Sequence, residues 1–406
     1  LIKTLFPTKT IHHSGAKFAS YCSIRGACLI ISLQKNKIRY GVVGLGYIAQ
    51  SAVLPAFKNA KSNSKLEAII SRDKQKLQKL GKKYHVDHCF LFKDLEQLLQ
   101  NKIIDVLYIC TPNWTHKEIM LVAAKYGVHV LCEKAMSISF KDCEQMIEQA
   151  EKNHISLMIA YRLHFEAANI EALKIAHSKR LGEPKLIQSV FTFNVEDRLN
   201  SRLLSDEEGG GPLYDIGIYC INSARHFFKA EPIEVYTMAS KSKDPRFSKT
   251  EESLCALLKF SEERMASFTI SFSSFRTSYL EVIGQKGRIR LENAFNYAKP
   301  MEMKIFESGK MTKKKFPKRD QFAPEIIYFS ECVQKKKKPD PSGLEGSLDI
   351  KIIEALLLSK DLGSPIKIDG GPKKFRSVEN SVISCPPVAR PKLFHASSPT
   401  EKAGLH

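Results

Sequence analysis

No uninterrupted apolar run in the 406 residues reaches the ~18 positions a membrane-spanning helix needs, so an integral helical membrane protein is excluded. The ten cysteines are scattered singly, with no C-x-x-C pair anywhere. That spacing encodes no disulfide scaffold, and a long chain of this kind is expected in a reducing, cytoplasmic setting. Glycine (21) and proline (18) are too few for a collagen-like or wholly disordered chain. Acidic residues are the scarce charge, 43 against 63 lysines and arginines, and Leu1 to Asn36 contains none at all. The basic runs come without zinc-finger spacing or an aromatic-rich RNA-binding motif, so nucleic acid is not an expected partner. Lys313-Lys314-Lys315 with Lys318-Arg319, and Lys335 to Lys338, read instead as solvated loop tips. His85-x-x-His88 offers two imidazoles at i, i+3 but no third ligand nearby, and no metal site is expected.

With 43% apolar and 26% charged residues, the chain has material for a sizeable core, and its net charge of +20 favours anionic small ligands, phosphates included. The basic, acid-free first 36 residues read as an unstructured extension or a targeting segment. From Lys37 the pattern becomes regular. Short apolar strands (37–43, 66–70, 106–110, 128–132, 155–160) alternate with helical periods (48–60, 74–84, 94–100, 116–126, 140–152), which predicts βαβ units and a doubly wound parallel sheet. Beyond about Arg180, period-two segments succeed one another (185–194, 233–239, 253–260, 265–272, 280–283, 287–292), interrupted by one helix over 213–228. They predict a large, open, mainly antiparallel sheet. Helical periodicity returns at 322–334 and 344–362. The expected division is therefore 37–162 for a Rossmann domain and 163–370 for an α+β domain, its last helix free to pack back on the first. Residues 371–406, with Pro386-Pro387 and Pro391, read as a flexible tail.

Gly44-Leu45-Gly46-Tyr47-Ile48-Ala49 matches G-x-G-x-x-G/A directly after a strand and before a helix. The first glycine makes the turn and the second admits a pyrophosphate. The small Ala49 allows helix and strand to close together, and the helix N-terminus attracts the anion. An acid ~20 residues further on usually holds the ribose 2′-hydroxyl of NAD. Here the second strand ends Ser71-Arg72, a hydroxyl beside a guanidinium, which suits the 2′-phosphate of NADP; NAD is the alternative. Asp73 reads as a helix cap.

Three more segments follow strand ends: Thr111-Pro112-Asn113-Trp114-Thr115-His116, Cys132-Glu133-Lys134-Ala135 and Tyr161-Arg162-Leu163-His164. Gly209 through Tyr219 opens the interrupting helix, with Asp215 and Tyr219 four apart on one face. These segments, with Arg39 through Gln50, resemble the glucose–fructose oxidoreductase, inositol dehydrogenase and rhizopine-catabolism (Gfo/Idh/MocA) family, in order and spacing over about residues 37–368.

The resemblance implies an NAD(P)-dependent oxidoreductase acting on a secondary alcohol or carbonyl of a sugar, polyol or related compound. Lys134, Asp215 and Tyr219 are its implied catalytic residues, Tyr219 moving the hydroxyl proton. Lys134 would favour the phenolate by its charge. The same three residues and Arg202 are the implied substrate contacts. Gly44, Leu45, Gly46, Tyr47, Ile48, Ser71, Arg72, Thr111, Pro112, Asn113, His116, Glu133, Lys134 and Arg162 are expected to line the cofactor. The family usually reads Glu-Lys-Pro with a cis bond; Ala135 replaces the proline, and a trans bond is expected because a non-proline cis peptide costs ~3 kcal/mol. A homodimer or homotetramer through the second sheet is implied. Two alternatives stay open: a non-catalytic NAD(P)-binding sensor or scaffold, and an enzyme that retains its cofactor while coupling two sugars.

Overall fold

The computed structural model describes residues 22–24, 27–29, 36–195, 202–205, 209–369, 382–389 and 391–396. The chain divides after Asn36. Before that point β1 (Cys22–Ile24) pairs antiparallel with β2 (Ala27–Leu29), so a stretch expected to be unstructured holds a hairpin. Pairing satisfies the backbone groups of these two short segments against each other.

From Lys37 onward the strands β3 (Ile38–Val43), β4 (Ser64–Ser71), β5 (His88–Leu91), β6 (Val106–Ile109), β7 (His129–Glu133) and β8 (Leu157–Ala160) form one sheet. They lie in the order β5–β4–β3–β6–β7–β8, and every pairing is parallel. All residues of β6 and β8 are buried, as expected of strands covered on both faces. Between them run α1 (Leu54–Ala60), α2 (Lys74–Tyr84), α3 (Leu95–Gln100), α4 (His116–Lys125) and α5 (Phe140–Lys152). Asp73 does cap α2, its Oδ1 accepting the Lys76 N–H at 3.0 Å.

The second region opens with α6 (Ala167–His177) and the long strand β9 (Pro184–Asn194). A π-helical turn, Leu213–Gly217, runs into α7 (Ile218–Phe228). There follow β10 (Glu234–Ser240), β11 (Ser253–Phe260), β12 (Arg264–Ser271), β13 (Ser273–Gly284), β14 (Gly287–Glu292), β15 (Met301–Glu307) and β16 (Lys310–Phe316). With β17 (Ile366–Lys367) they make a nine-stranded sheet in the order β16–β15–β14–β13–β9–β12–β11–β10–β17. Only the β9–β12 pairing is parallel. One face is buried; on the other Leu186, Met238, Leu257 and Met265 are exposed.

Two late helices return to the first sheet. On α8 (Ala323–Gln334), the Ile326 carbonyl and Ser330 hydroxyl meet the buried Tyr40 hydroxyl at 3.1 and 2.8 Å. Along α9 (Gly343–Leu362), Glu354 accepts the Phe140 N–H of α5 at 2.8 Å, and Ser359 accepts the Thr237 N–H of β10 at 3.1 Å.

Two sequence readings need correction. The Lys313-Lys314-Lys315 cluster is not a loop tip but lies on β16, the edge strand, where exposed lysines discourage further strand addition. The tail does not simply fray. Asp320 bridges Cys385, Asn59 donates to the Pro386 carbonyl at 2.8 Å, and Phe394 and His395 dock on the first domain. Buried side chains and backbone polar groups with specific partners hold it there.

Candidate functional site

The strand order reverses between β3 and β6, which leaves a crevice beyond their carboxyl ends. A cleft of about 750 Å³ occupies that crevice and continues into the second domain. At its centre Gly44 has φ +90°, and a Cβ there would stand 2.7 Å from the Cys110 backbone, so the turn requires glycine. A Cβ on Gly46 would meet nothing within 4 Å, leaving open space above the loop. Behind it Gln50 N–H donates to the Gly46 carbonyl at 3.1 Å as the helix begins. Space for a bulky group before the free amides of a helix start is what a dinucleotide diphosphate needs.

At one end of the cleft lie Ser71, Arg72, Asp73 and Lys76. Ser71 Oγ accepts the Asp73 N–H at 3.1 Å and keeps its own hydrogen to donate. Arg72 is exposed, and burial pulls the Lys76 ammonium down while Asp73 pushes it back up.

At the other end, Thr111, Pro112 and Asn113 follow β6, Glu133 ends β7 with Lys134 just after it, and Arg162 follows β8. Asn113 Nδ2 donates to the Gly209 carbonyl at 2.8 Å, joining the two domains. Gly209 has φ +68°, and a Cβ on it would approach Ile138 Cγ2 to 2.4 Å, so the junction tolerates no side chain.

From across this junction comes the start of α7. Lys134 Nζ donates to the Asp215 carbonyl oxygen at 2.5 Å and stands 3.6 Å from its Oδ1 carboxylate oxygen. The same ammonium lies 4.7 Å from the Tyr219 ring centroid, and the Arg162 guanidinium lies 4.8 Å from that centroid on its own account. Phe191 and Phe295 hold the ring in place, with centroids 5.8 and 6.0 Å away. Arg162 is itself fixed by Gln321 Oε1 at 2.5 Å and the Phe295 carbonyl at 2.6 Å. Glu133 is buried beside them and accepts the Tyr108 hydroxyl at 3.0 Å. Burial pushes its carboxyl up, while Lys134, Tyr108 and Arg162 hold the rise back.

Almost every sequence candidate therefore meets in one cleft. His116 does not line it. The ring is fully buried and bridges the Thr111 and Ala135 carbonyls at 2.9 and 3.0 Å, so it braces two cleft loops from behind. The Lys134–Ala135 peptide, expected trans, is cis; Ala135 is fully buried and its carbonyl meets His116. The Arg202 backbone lies in a short 3-10 turn, Arg202–Leu204, but its side chain falls outside the described residues. Among the described residues no three His, Cys, Asp or Glu side chains gather to hold a metal ion.

Sequence reasoning missed several lining residues. Arg276 comes from β13 and Tyr297 from the turn after β14. Tyr297 OH reaches Tyr47 OH at 3.2 Å, closing the second domain over the glycine loop. An arginine in an alternating strand and an aromatic in a turn carry no local signature; only the sheet's position over the cleft gives them a role.

A dinucleotide-sized cleft at the switch point of a parallel sheet, with ionisable groups gathered at one end, puts the chain in the class of nicotinamide-dependent oxidoreductases. The comparison narrows that class. The chain belongs to the GFO/IDH/MocA oxidoreductase family: residues 38–161 match its NAD-binding Rossmann domain and 170–290 its C-terminal domain. It is similar to the D-xylose 1-dehydrogenase [NADP(+)] of Haloarcula marismortui, at 26% identity over 339 residues, covering 82% of this chain and 94% of that one. It also resembles the crystal structure of aldose-aldose oxidoreductase from Caulobacter crescentus complexed with glycerol, with a TM-score of 0.78 and 31% identity, covering 82% of this chain and all of that one. A trans-1,2-dihydrobenzene-1,2-diol dehydrogenase of Xenopus tropicalis is 24% identical over 253 residues, covering 62% of this chain and 74% of its own.

Proposed function

We propose that this protein is an NADP-preferring oxidoreductase that moves hydride between the nicotinamide and a carbinol carbon of an aldose or related polyol. The observation that carries this reading is the meeting of Lys134, Asp215 and Tyr219, from two domains, where the dinucleotide cleft enters the second domain. When bound, the nicotinamide supplies the hydride acceptor or donor. The chain supplies position, charge and a proton path.

Lys134 holds an ammonium where a substrate oxygen would lie, and Asp215 orients both by accepting hydrogen bonds. Tyr219 takes the hydroxyl proton during oxidation and returns it during reduction, with the ammonium stabilising the oxygen as it gains charge. Thr111, Pro112, Asn113 and Arg162 shape the nicotinamide end, and Ser71 and Arg72 receive the 2′-phosphate. The NADP preference is supported by the hydroxyl and guanidinium there and by the NADP-named relative. The exposed apolar residues on β9, β10, β11 and β12 support pairing of two copies through that sheet face.

Turnover with a panel of aldoses, polyols and dihydrodiols, followed as reduced nicotinamide absorbance, tests the reading. Aldose-dependent reduction of NADP, at least tenfold faster than of NAD, is expected. Tight dinucleotide binding with no hydride transfer to any substrate would favour a sensor instead. The likeness to the aldose-aldose oxidoreductase supports a second reading, in which cofactor stays bound between two sugars. Purified protein retaining dinucleotide absorbance through long dialysis is its signature.

A further inference from the structure

The segment 391–396 lies outside both family-matched regions, yet it touches two loops of the cofactor cleft at once. The first tie runs through Gln50, which is buried behind the glycine loop. Its Nε2 donates to the Leu45 carbonyl at 2.9 Å and to the Phe394 carbonyl at 2.8 Å, while its Oε1 accepts the Phe394 N–H at 2.8 Å. One buried amide thus spends its hydrogen bonds on the phosphate loop and on the strap. The Phe394 ring is held from outside by the Lys79 ammonium, 3.8 Å from its centroid, and stacks on His395 at 3.9 Å.

The second tie is at the other cofactor loop. His395 Nδ1 stands 2.8 Å from Asp73 Oδ2, while Asp73 Oδ1 is taken by the Lys76 N–H. Asp73 lines the cleft between Arg72 and Lys76, the end where Ser71 and Arg72 would meet a 2′-phosphate. A bare carboxylate there repels a phosphate dianion. With both oxygens occupied, one by a helix amide and one by the imidazole, its lone pairs are engaged and its orientation is fixed. The carboxyl is correspondingly held below the usual range, first by the Lys76 amide and then by His395.

We propose that residues 391–396 are a cofactor-selecting strap: His395 masks Asp73 against the 2′-phosphate, and Phe394, through Gln50, fixes the phosphate loop beneath it. This deepens the NADP reading above and rests on it. The masking makes His395 a specificity-determining residue far in sequence from every other group in the site.

The test uses the full chain. Trp114, the only tryptophan, lines the cleft, so its fluorescence reports binding of NADPH and NADH directly. His395→Ala is expected to weaken NADPH five- to tenfold and NADH less than twofold. Adding Asp73→Asn to that variant should restore NADPH to within twofold of wild type, since the carboxylate needing a mask is gone. The Phe394 amide should exchange its hydrogen far more slowly than in a free peptide of the same sequence. An NADPH/NADH ratio unmoved by His395→Ala, or an unprotected Phe394 amide, overturns the strap while leaving the NADP reading intact. Wild-type protein that binds neither nucleotide, or prefers NADH, overturns both.

Discussion

The two ends of α7 carry charge in opposite ways. At its start Lys134, Asp215 and Tyr219 meet in an open cleft, with the Lys134 and Asp215 side chains 12% and 19% exposed and their carboxylate–ammonium contact loose at 3.6 Å. Two turns on, Arg225 is wholly buried and saturated. Its guanidinium grips Glu231 at 2.6 and 2.9 Å, Asp349 at 2.6 Å and Glu345 at 3.2 Å. Asp349 in turn accepts from Tyr161 at 2.5 Å and Asn222 at 2.9 Å. In this network the buried charge is paired several times over. Charge in the cleft is partly exposed, with a longer ammonium–carboxylate contact, within reach of a ligand. The two are linked: Tyr161 immediately precedes Arg162, so the buried network fixes the backbone from which Arg162 reaches the cleft.

The harshest test of that contrast removes the hub. Arg225→Met leaves three carboxyl groups buried without their cation, and about 3–5 kcal/mol of stability should be lost. Urea denaturation would read it. A loss under about 1 kcal/mol would mean the network is no more structural than the cleft. At the other end the effects should separate the opposite way. Lys134→Ala and Tyr219→Phe should each lower kcat by about 10²–10³-fold while moving stability by under about 0.5 kcal/mol. If either variant also melts early, the cleft charges are structural as well and the contrast fails.

A gentler probe is acid. Burial works to raise the Glu345 carboxyl, but Arg225 and His226 overcome it and hold it far below its ordinary value. A carboxyl lowered in the folded state adds stability that is fully present above its unfolded pKa of about 4.3 and disappears as pH falls below it. Asp349 runs the other way, pushed up by burial against the pull of Arg225, and so offsets part of the loss. Stability should therefore fall as pH drops below about 4, and Glu345→Gln should flatten that slope. An unchanged slope in the variant would place the acid sensitivity elsewhere.

How far each of these regions could be read from the residues follows from how local its signals are. The parallel sheet announced itself because its glycine loop, its apolar strands and its helical periods are each short-range patterns; α2 and α5 fall where the periodicity placed them. The strands β15 and β16 escaped notice because lysines dominate one of them, and an edge strand's register is set by its neighbour rather than by its own pattern. The proposed catalytic cluster was recoverable from the residues as separate segments, and its convergence only from the family resemblance, since Lys134 and Tyr219 are 85 positions apart and meet across the domain junction at Asn113 and Gly209. Arg225 gave no signal at all. Its partners lie up to 124 residues away, and a single arginine inside an apolar helical period looks like a misplaced surface residue.

The edge lysines supply the smallest effect and complete the comparison with a third setting for charge. On β16, Lys314 pairs with Glu171 of α6 at 2.7 and 2.5 Å, both side chains being substantially exposed, and Lys313 reaches Glu302 of β15 at 3.0 Å. Such pairs gain little Coulomb energy in high dielectric and give up side-chain freedom, so Lys314→Ala should cost less than about 1 kcal/mol, and salt should erase most of that. Its contribution lies elsewhere. An edge strand without its charges is a template for another strand, so Lys313, Lys314 and Lys315 replaced together by threonine should leave the melting temperature nearly unchanged while raising light scattering on concentration. A large loss of stability from the single substitution would move this pair into the class of Arg225 and break the ordering of buried, cleft and surface charge.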